Sequence, residues 1–221
     1  MFYRSFKCHN DSSEEWCAIC WNGGQLFCCD QCPKVYHREC HQPFMSESEL
    51  APDADFVCSL CRWKEQKEKA SVQLQADFIL LSVLADRELD PIQRFCSEVI
   101  KTLDYKSSVR NAITYQMIRL KTYTHLEQFL SDVLVLSNNI KVYSADNLVL
   151  DCNEMLKIKI SSLVRQVKPT ALHYWMSISM KPPSPLHTTV RRVVKPKPAE
   201  ESDEEDEDND EHESKKIKLE Y

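Results

Sequence analysis

The run Glu14-Glu-Trp-Cys-Ala-Ile-Cys-Trp-Asn-Gly-Gly-Gln-Leu-Phe-Cys-Cys-Asp-Gln-Cys-Pro-Lys-Val-Tyr-His-Arg-Glu-Cys40, with Cys58-Ser-Leu-Cys61 further on, decides how the first part of this chain is built. Its donors read Cys17-x2-Cys20-x8-Cys29-x2-Cys32-x4-His37-x2-Cys40-x17-Cys58-x2-Cys61, eight ligands in four pairs. Each Cys-x2-Cys or His-x2-Cys pair brings two soft donors close enough to share one tetrahedral ion. Four pairs therefore make two closed zinc sites with no open coordination position. Closed sites are structural, and apparent binding energies of roughly 10–16 kcal/mol per site dominate the folding of so short a segment. Cys28 competes with Cys29 as third ligand. Only Cys29 has the two-residue spacing to Cys32, and Cys28 is expected to pack in the core as a small apolar residue.

Working outward, the chain has 221 residues, eleven cysteines and only two glycines. Average usage would give about 15 glycines, so a phosphate-cradling loop and a large β-sandwich are excluded. Nine of the cysteines lie before residue 62. Residues 1–13 contain no apolar signal region, and the longest apolar run, Phe78 to Ala85, falls well short of the eighteen or so residues of a membrane span. An intracellular chain with no membrane partner is expected, where paired cysteines bind zinc and not each other. The net charge of −6 divides into −9 over residues 199–221 and about +3 elsewhere. Blocks of like charge repel themselves, so this acidic tail is expected to be disordered.

The organisation expected is a zinc-stabilised finger over residues 14–64, an all-α bundle over 71–168, and a basic, proline-rich linker with an acidic tail over 182–221. Residues 63–70, WKEQKEKA, read as a charged connection between the first two. Residues 71–167 show helical periodicity, with Pro91 as the one proline and no glycine. Leu74, Phe78, Leu81 and Ala85 form one stripe. Thr124-His-Leu-Glu127 reads as a capping box opening a helix with Leu126, Phe129, Leu130, Val133, Leu134 and Ser137 on one face. After Ser144-Ala-Asp146 a further helix carries Leu148, Cys152, Met155, Leu156, Leu163 and Val167. A fourth is expected between Asn111 and Tyr123. Four helices in this span suggest an antiparallel bundle with a long first connection over 88–110.

The ligand order with one His in fifth place resembles the plant-homeodomain (PHD) finger, as do Trp16 before the first ligand, Gly23-Gly24 before an apolar strand, and Phe56 two before the seventh ligand. The resemblance implies interleaved sites, with Cys17, Cys20, His37 and Cys40 on one zinc and Cys29, Cys32, Cys58 and Cys61 on the other. The rival RING finger, which recruits ubiquitin-conjugating enzymes, places its His fourth.

The stretch from Glu14 to His37 is similar to the PHD finger of the transcription-intermediary-factor branch of tripartite-motif proteins and of the related speckled and autoimmune-regulator proteins. That resemblance implies binding of the unmodified N-terminal tail of histone H3. The tail would add as a strand along Gln25, Leu26, Phe27 and Cys28. Glu15 would accept hydrogen bonds from the tail's fourth residue, an unmethylated lysine, and Asp30 would pair with its second, an arginine. The tail's amino terminus would sit in the turn Pro52-Asp-Ala-Asp-Phe56. Ala54 departs from the family's turn glycine, and Ser13 from an asparagine. Trp21 is an added exposed aromatic, a candidate wall for a methyl-lysine cage.

A finger followed closely by a helical bundle is the arrangement of the same family, whose bundle is a bromodomain. Phe129-Leu-Ser-Asp132 through Asn138-Asn-Ile-Lys-Val-Tyr-Ser144 resembles its third helix and following loop. Asp90-Pro91 marks the start of the long ZA loop, and Asp104-Tyr-Lys106 resembles an element within it. The asparagine that binds acetyl-lysine falls at Ser144, and the Pro-Met-Asp signature is missing around Asn111 to Thr114. A serine offers one donor on a shorter arm, so a degenerate site and a packing role are expected.

No catalytic constellation appears. His9, His41, His125, His173 and His187 have no neighbouring nucleophile and read as solvated, while Cys96 and Cys152 read as buried fillers. Arg191-Arg192 with Lys195 and Lys197, and Lys215-Lys216-Ile-Lys218, are short basic clusters suited to nuclear import. The same clusters leave DNA contact open. The reading is a nuclear, non-enzymatic chromatin reader with transcription-regulatory partners. The alternative is a ubiquitin- or SUMO-ligase-type scaffold that recruits a conjugating enzyme, and the chain is a short relative of its family or a fragment.

Overall fold

The computed structural model describes residues 12–51, 54–102 and 115–180, with the backbone alone over 97–102. All of them belong to one unit, Met1–Val190. A two-stranded antiparallel sheet, β1 (Phe27–Cys28) and β2 (Val35–Tyr36), pairs Phe27 with Tyr36 and Cys28 with Val35. Helices follow: α1 (Ser59–Gln66), α2 (Val72–Leu84), α3 (Asp90–Thr102), α4 (Tyr115–Leu120), α5 (Leu126–Tyr143), α6 (Asn147–Val167) and α7 (Pro169–Ser179). The expectation of a zinc finger followed by an all-helical part is met. The capping box at Thr124 is not: α5 starts at Leu126 from His125, and Thr124 Oγ1 instead meets the side chains of His125 and Gln128.

Helices α5, α6 and α7 pack on one another, α2 lies against α5 and α6, and α1 lies along α2. The structure extends the helical part past residue 168. Pro169 stands at the first position of α7, where its missing N–H leaves no bond unmade. Trp175 of α7 is fully buried and donates to Ser161 Oγ at 2.9 Å. A similar shift affects the expected long connection over 88–110, because a 3-10 turn (Arg87–Leu89) and α3 occupy its first part. Residues 103–114, with Asp104-Tyr-Lys106 and Asn111 to Thr114, lie outside the described residues, as do Cys8, His9, Pro52, Asp53 and 181–221.

Residues 63–70 are not a plain connection either. Trp63 is 2% exposed and stacks on Phe78, ring centroids 4.1 Å apart at 22°. Helix α1 therefore runs from the last zinc pair directly into the bundle core. Helix α2 is buried on almost every side because it faces two cores: Leu81 lies in the finger's core, and Phe78, Ile79, Leu80, Val83 and Leu84 lie in the bundle's. On α6 the buried face is Val149, Cys152, Asn153, Leu156, Ile160, Leu163 and Val164, with Leu148 and Met155 turned outward.

Candidate functional site

The eight predicted ligands converge in two quartets, Cys17, Cys20, His37 and Cys40, and Cys29, Cys32, Cys58 and Cys61. Within each, the donor atoms lie within 4.8 Å of one another. His37 Nδ1 is 3.2 Å from Cys20 Sγ and 3.7 Å from Cys40 Sγ, and Cys32 Sγ is 3.9 Å from Cys58 Sγ. A tetrahedron with Zn–S bonds near 2.3 Å has edges of about 3.8 Å, so both quartets fit zinc. His37 Nε2 donates to the Gly23 carbonyl at 3.1 Å, which leaves Nδ1 as the ligand and fixes the ring. The thiols compete for charge. A hydrogen bond from Cys40 holds the Cys17 thiol down at about 4, while the same contact pushes Cys40 up. In the other quartet Cys29 is held low by Cys32 and Cys58, and Cys32 is pushed up to about 11 by Cys29. A divalent cation replaces those shared protons and lets all the thiolates form.

Local backbone geometry sets this frame. Gly24 has a φ of 121°, a region side-chain-bearing residues rarely enter, and a Cβ there would stand 3.5 Å from His37 Nε2. Gly23 lies against the Trp16 ring, where a Cβ would meet it at 3.5 Å. Amide N–H groups of Ile19 and Cys58 point at Cys17 Sγ and Cys29 Sγ, at 3.5 and 3.3 Å.

Around this frame, Glu15 and Gln25 are exposed, Leu26 and Cys28 are half-buried and Phe27 is buried in the finger's core. Cys28 thus departs from the core position expected of it, because its strand neighbours Phe27 and Cys29 take that side. Asp30 is exposed, and its Oδ2 accepts the Phe56 amide at 2.6 Å while its own amide donates to the Phe56 carbonyl at 2.9 Å. The Phe56 ring is 4% exposed, edge-on to Tyr36 and His41. The expected cage wall, Trp21, has its ring face covered by the Arg87 guanidinium. Ser144 caps the C-terminus of α5. It is nearly buried, and its Oγ accepts the Asp146 amide at 3.2 Å.

The sequence reading missed a set of polar residues joining the finger to the helices. His41, expected to be solvated, is 1% exposed. It donates from Nδ1 to the Pro43 carbonyl and accepts the Ser59 amide on Nε2, and burial pushes it down to about 4. Arg119 of α4 donates to the carbonyls of Glu39 and His41 and from Nε to Gln42 Oε1, and it lies over the Phe44 ring. Gln42 in turn donates to Asp77 of α2 at 2.9 Å. The one sequence signal for this set is an acid, Asp77, directly before the apolar run Phe78-Ile-Leu-Leu81.

Residues 17–61 match the family model described as PHD-finger. This segment is a PHD finger. The E3 ubiquitin-protein ligase TRIM33 of Danio rerio is 51% identical over 53 residues, 24% of this chain and 4% of that protein. Tripartite motif-containing protein 66 of Mus musculus is 50% identical over 56 residues, 25% of this chain and 4% of that protein. Its Homo sapiens counterpart is 27% identical over 186 residues, 71% of this chain and 13% of that protein, so this likeness runs on from the PHD finger into the helices. The chain thus spans only a small part of the relatives it matches. No helix among the described residues is long and apolar enough to cross a membrane.

Proposed function

We propose that this chain is a nuclear chromatin reader whose PHD finger binds the unmodified N-terminal tail of histone H3 in transcriptional regulation. The observation that carries the reading is the pair of exposed carboxylates, Glu15 and Asp30, in a PHD finger. A tail laid along Gln25 to Cys28 brings its fourth-residue lysine to Glu15 and its second-residue arginine to Asp30, each a charge-assisted pair. Every methyl added to the lysine removes a donor and adds bulk, so methylation works against binding.

The helical part acts in this reading as a degenerate bromodomain that braces the finger. Ser144 already spends its oxygen on the Asp146 amide and reaches less far than an asparagine, which argues against ordinary acetyl-lysine binding. The proposal includes no catalytic step. The ligase name belongs to relatives of which the chain covers 4%.

Calorimetric titration of the full chain tests the reading, using tail peptides with the fourth-residue lysine unmodified or trimethylated. The unmodified peptide is expected to bind about tenfold or more tightly, the worth of one hydrogen bond to a charged group. Equal affinity, or no binding of either peptide, overturns it.

A further inference from the structure

Helix α6 turns a second apolar stripe away from the core. Leu148, Met155 and Ile158 are 60%, 36% and 70% exposed, on the side opposite the buried face that runs from Val149 to Val164. Single exposed leucines are ordinary, but three large apolar side chains in one line mark a surface that another chain covers. The spacing is regular. Leu148, Asp151, Met155, Ile158, Ser162 and Arg165 follow one another in alternating steps of three and four residues, and all are exposed. That is the repeat of a helix that pairs with a second helix along one seam.

Charge says what the second helix is. Beside the stripe, Glu154 pairs with Lys141 and Lys157, and Lys159 pairs with Asp86. Asp151 and Arg165, within it, make no ion pair among the described residues. They stand two heptads apart, one on each side of Ile158, about 21 Å along the axis and too far to meet each other. A second copy of α6 laid antiparallel across a two-fold axis satisfies both. Met155 then packs on Ile158 of the partner subunit, and the reverse. Leu148 lies under the aliphatic stem of the partner's Arg165, and Asp151, one helical turn away, takes its guanidinium. Parallel pairing would set acid against acid and base against base, so the stripe complements itself in one orientation only.

We propose that the outer face of α6 is the seam of a homodimer, in which two copies of this chain pair antiparallel about Met155 and Ile158 and Asp151 of each bonds the partner's Arg165. The seam is short, so the dimer is weak and forms where the chain is concentrated. Each dimer carries two PHD fingers, and a surface bearing several tails is then held with avidity. That consequence rests on the tail-binding reading, whereas the dimer itself does not.

Sedimentation velocity of the zinc-loaded full chain, from low to high micromolar concentration at physiological salt, tests this with no tail peptide present. A reversible monomer–dimer equilibrium is expected. Ile158→Glu changes an exposed side chain, so dichroism should match the parent while dimerisation weakens at least about tenfold. Asp151→Arg and Arg165→Asp are each expected to weaken it about two- to five-fold, and the variant carrying both changes to return toward the parent, because the swapped charges again face each other across the axis. A chain that stays monomeric throughout overturns the proposal, whether residues 181–221 or another protein covers the stripe. So does a dimer that Ile158→Glu leaves unchanged. A double charge swap as damaging as its two single changes combined also overturns it, since Asp151 and Arg165 would then not meet across the seam.

Discussion

Trp63 lies flat on Phe78, two residues after the last zinc ligand, so one short helix carries both a metal donor of the finger and a wall of the bundle core. Truncating a buried aromatic of this kind costs about 3–5 kcal/mol. Trp63→Ala is therefore expected to lower the denaturant midpoint of the whole chain, with finger and helices still melting together. Unfolding followed by far-ultraviolet dichroism checks this; a loss under about 1 kcal/mol would show that the stack contributes little beyond area.

Zinc release should reach the helices by the same route. Each chain is expected to hold two zinc ions, and Cys61→Ser to lose one of them, since Cys61 sits in a single quartet. Strong chelation releases both and takes up protons, because thiolates become thiols. Helical ellipticity should fall with the metal, as α1 starts directly after Cys58 and contains Cys61, and so loses its anchor. Measured zinc stoichiometry and dichroism settle the point; helices indifferent to chelation would show that the bundle stands without the finger.

How much of this was legible in the sequence follows from the range over which each feature is determined. The zinc ligands were readable because paired donors sit two residues apart, whatever the rest of the chain does. The apolar strand after Gly23-Gly24 was readable too, but its pairing with Val35–Tyr36 was not. Faces of helices were harder. Leu148 and Met155 look like core on α6, yet Val149, Ile160 and Val164 occupy it, because the helix carries two apolar stripes and only its neighbours choose between them. Pro91 and Pro169 read as breaks although both stand in first turns of helices, where proline is tolerated. Gln42, Asp77 and Arg119 were invisible as a group, since the partners that satisfy them lie 35 and 77 residues apart.

Asp77 offers a test of that buried group. Burial raises its carboxyl above the ordinary range, against the opposing pull of the Gln42 and Gln73 amides. The folded pKa lies above the unfolded one, so the fold disfavours the ionised form. The resulting destabilisation is full above the folded pKa and fades as pH falls through it. Asp77→Asn keeps an Oδ1 acceptor for both amides and removes the charge. It is expected to be at least as stable as the parent at pH 7, with the difference narrowing toward pH 4; comparing the two proteins cancels the acid sensitivity of the zinc sites. A variant less stable by more than about 1 kcal/mol at every pH would mean that the charge itself supports the interface.

Asp30 separates scaffold from recognition. Its carboxylate accepts the Phe56 amide, so Asp30→Ala leaves a main-chain donor without its partner and is expected to destabilise the finger by about 1–3 kcal/mol. Asp30→Asn retains an oxygen for that amide and loses only the charge. The asparagine variant should therefore unfold close to the parent, yet bind the unmodified H3 tail about tenfold more weakly, since the arginine at the tail's second residue exchanges a charge-assisted bond for a neutral one. Thermal melts and peptide titrations on the two variants give the comparison. Tail affinity equal to the parent in Asp30→Asn would assign this carboxylate wholly to the turn it braces and leave Glu15 as the acid that reads the tail.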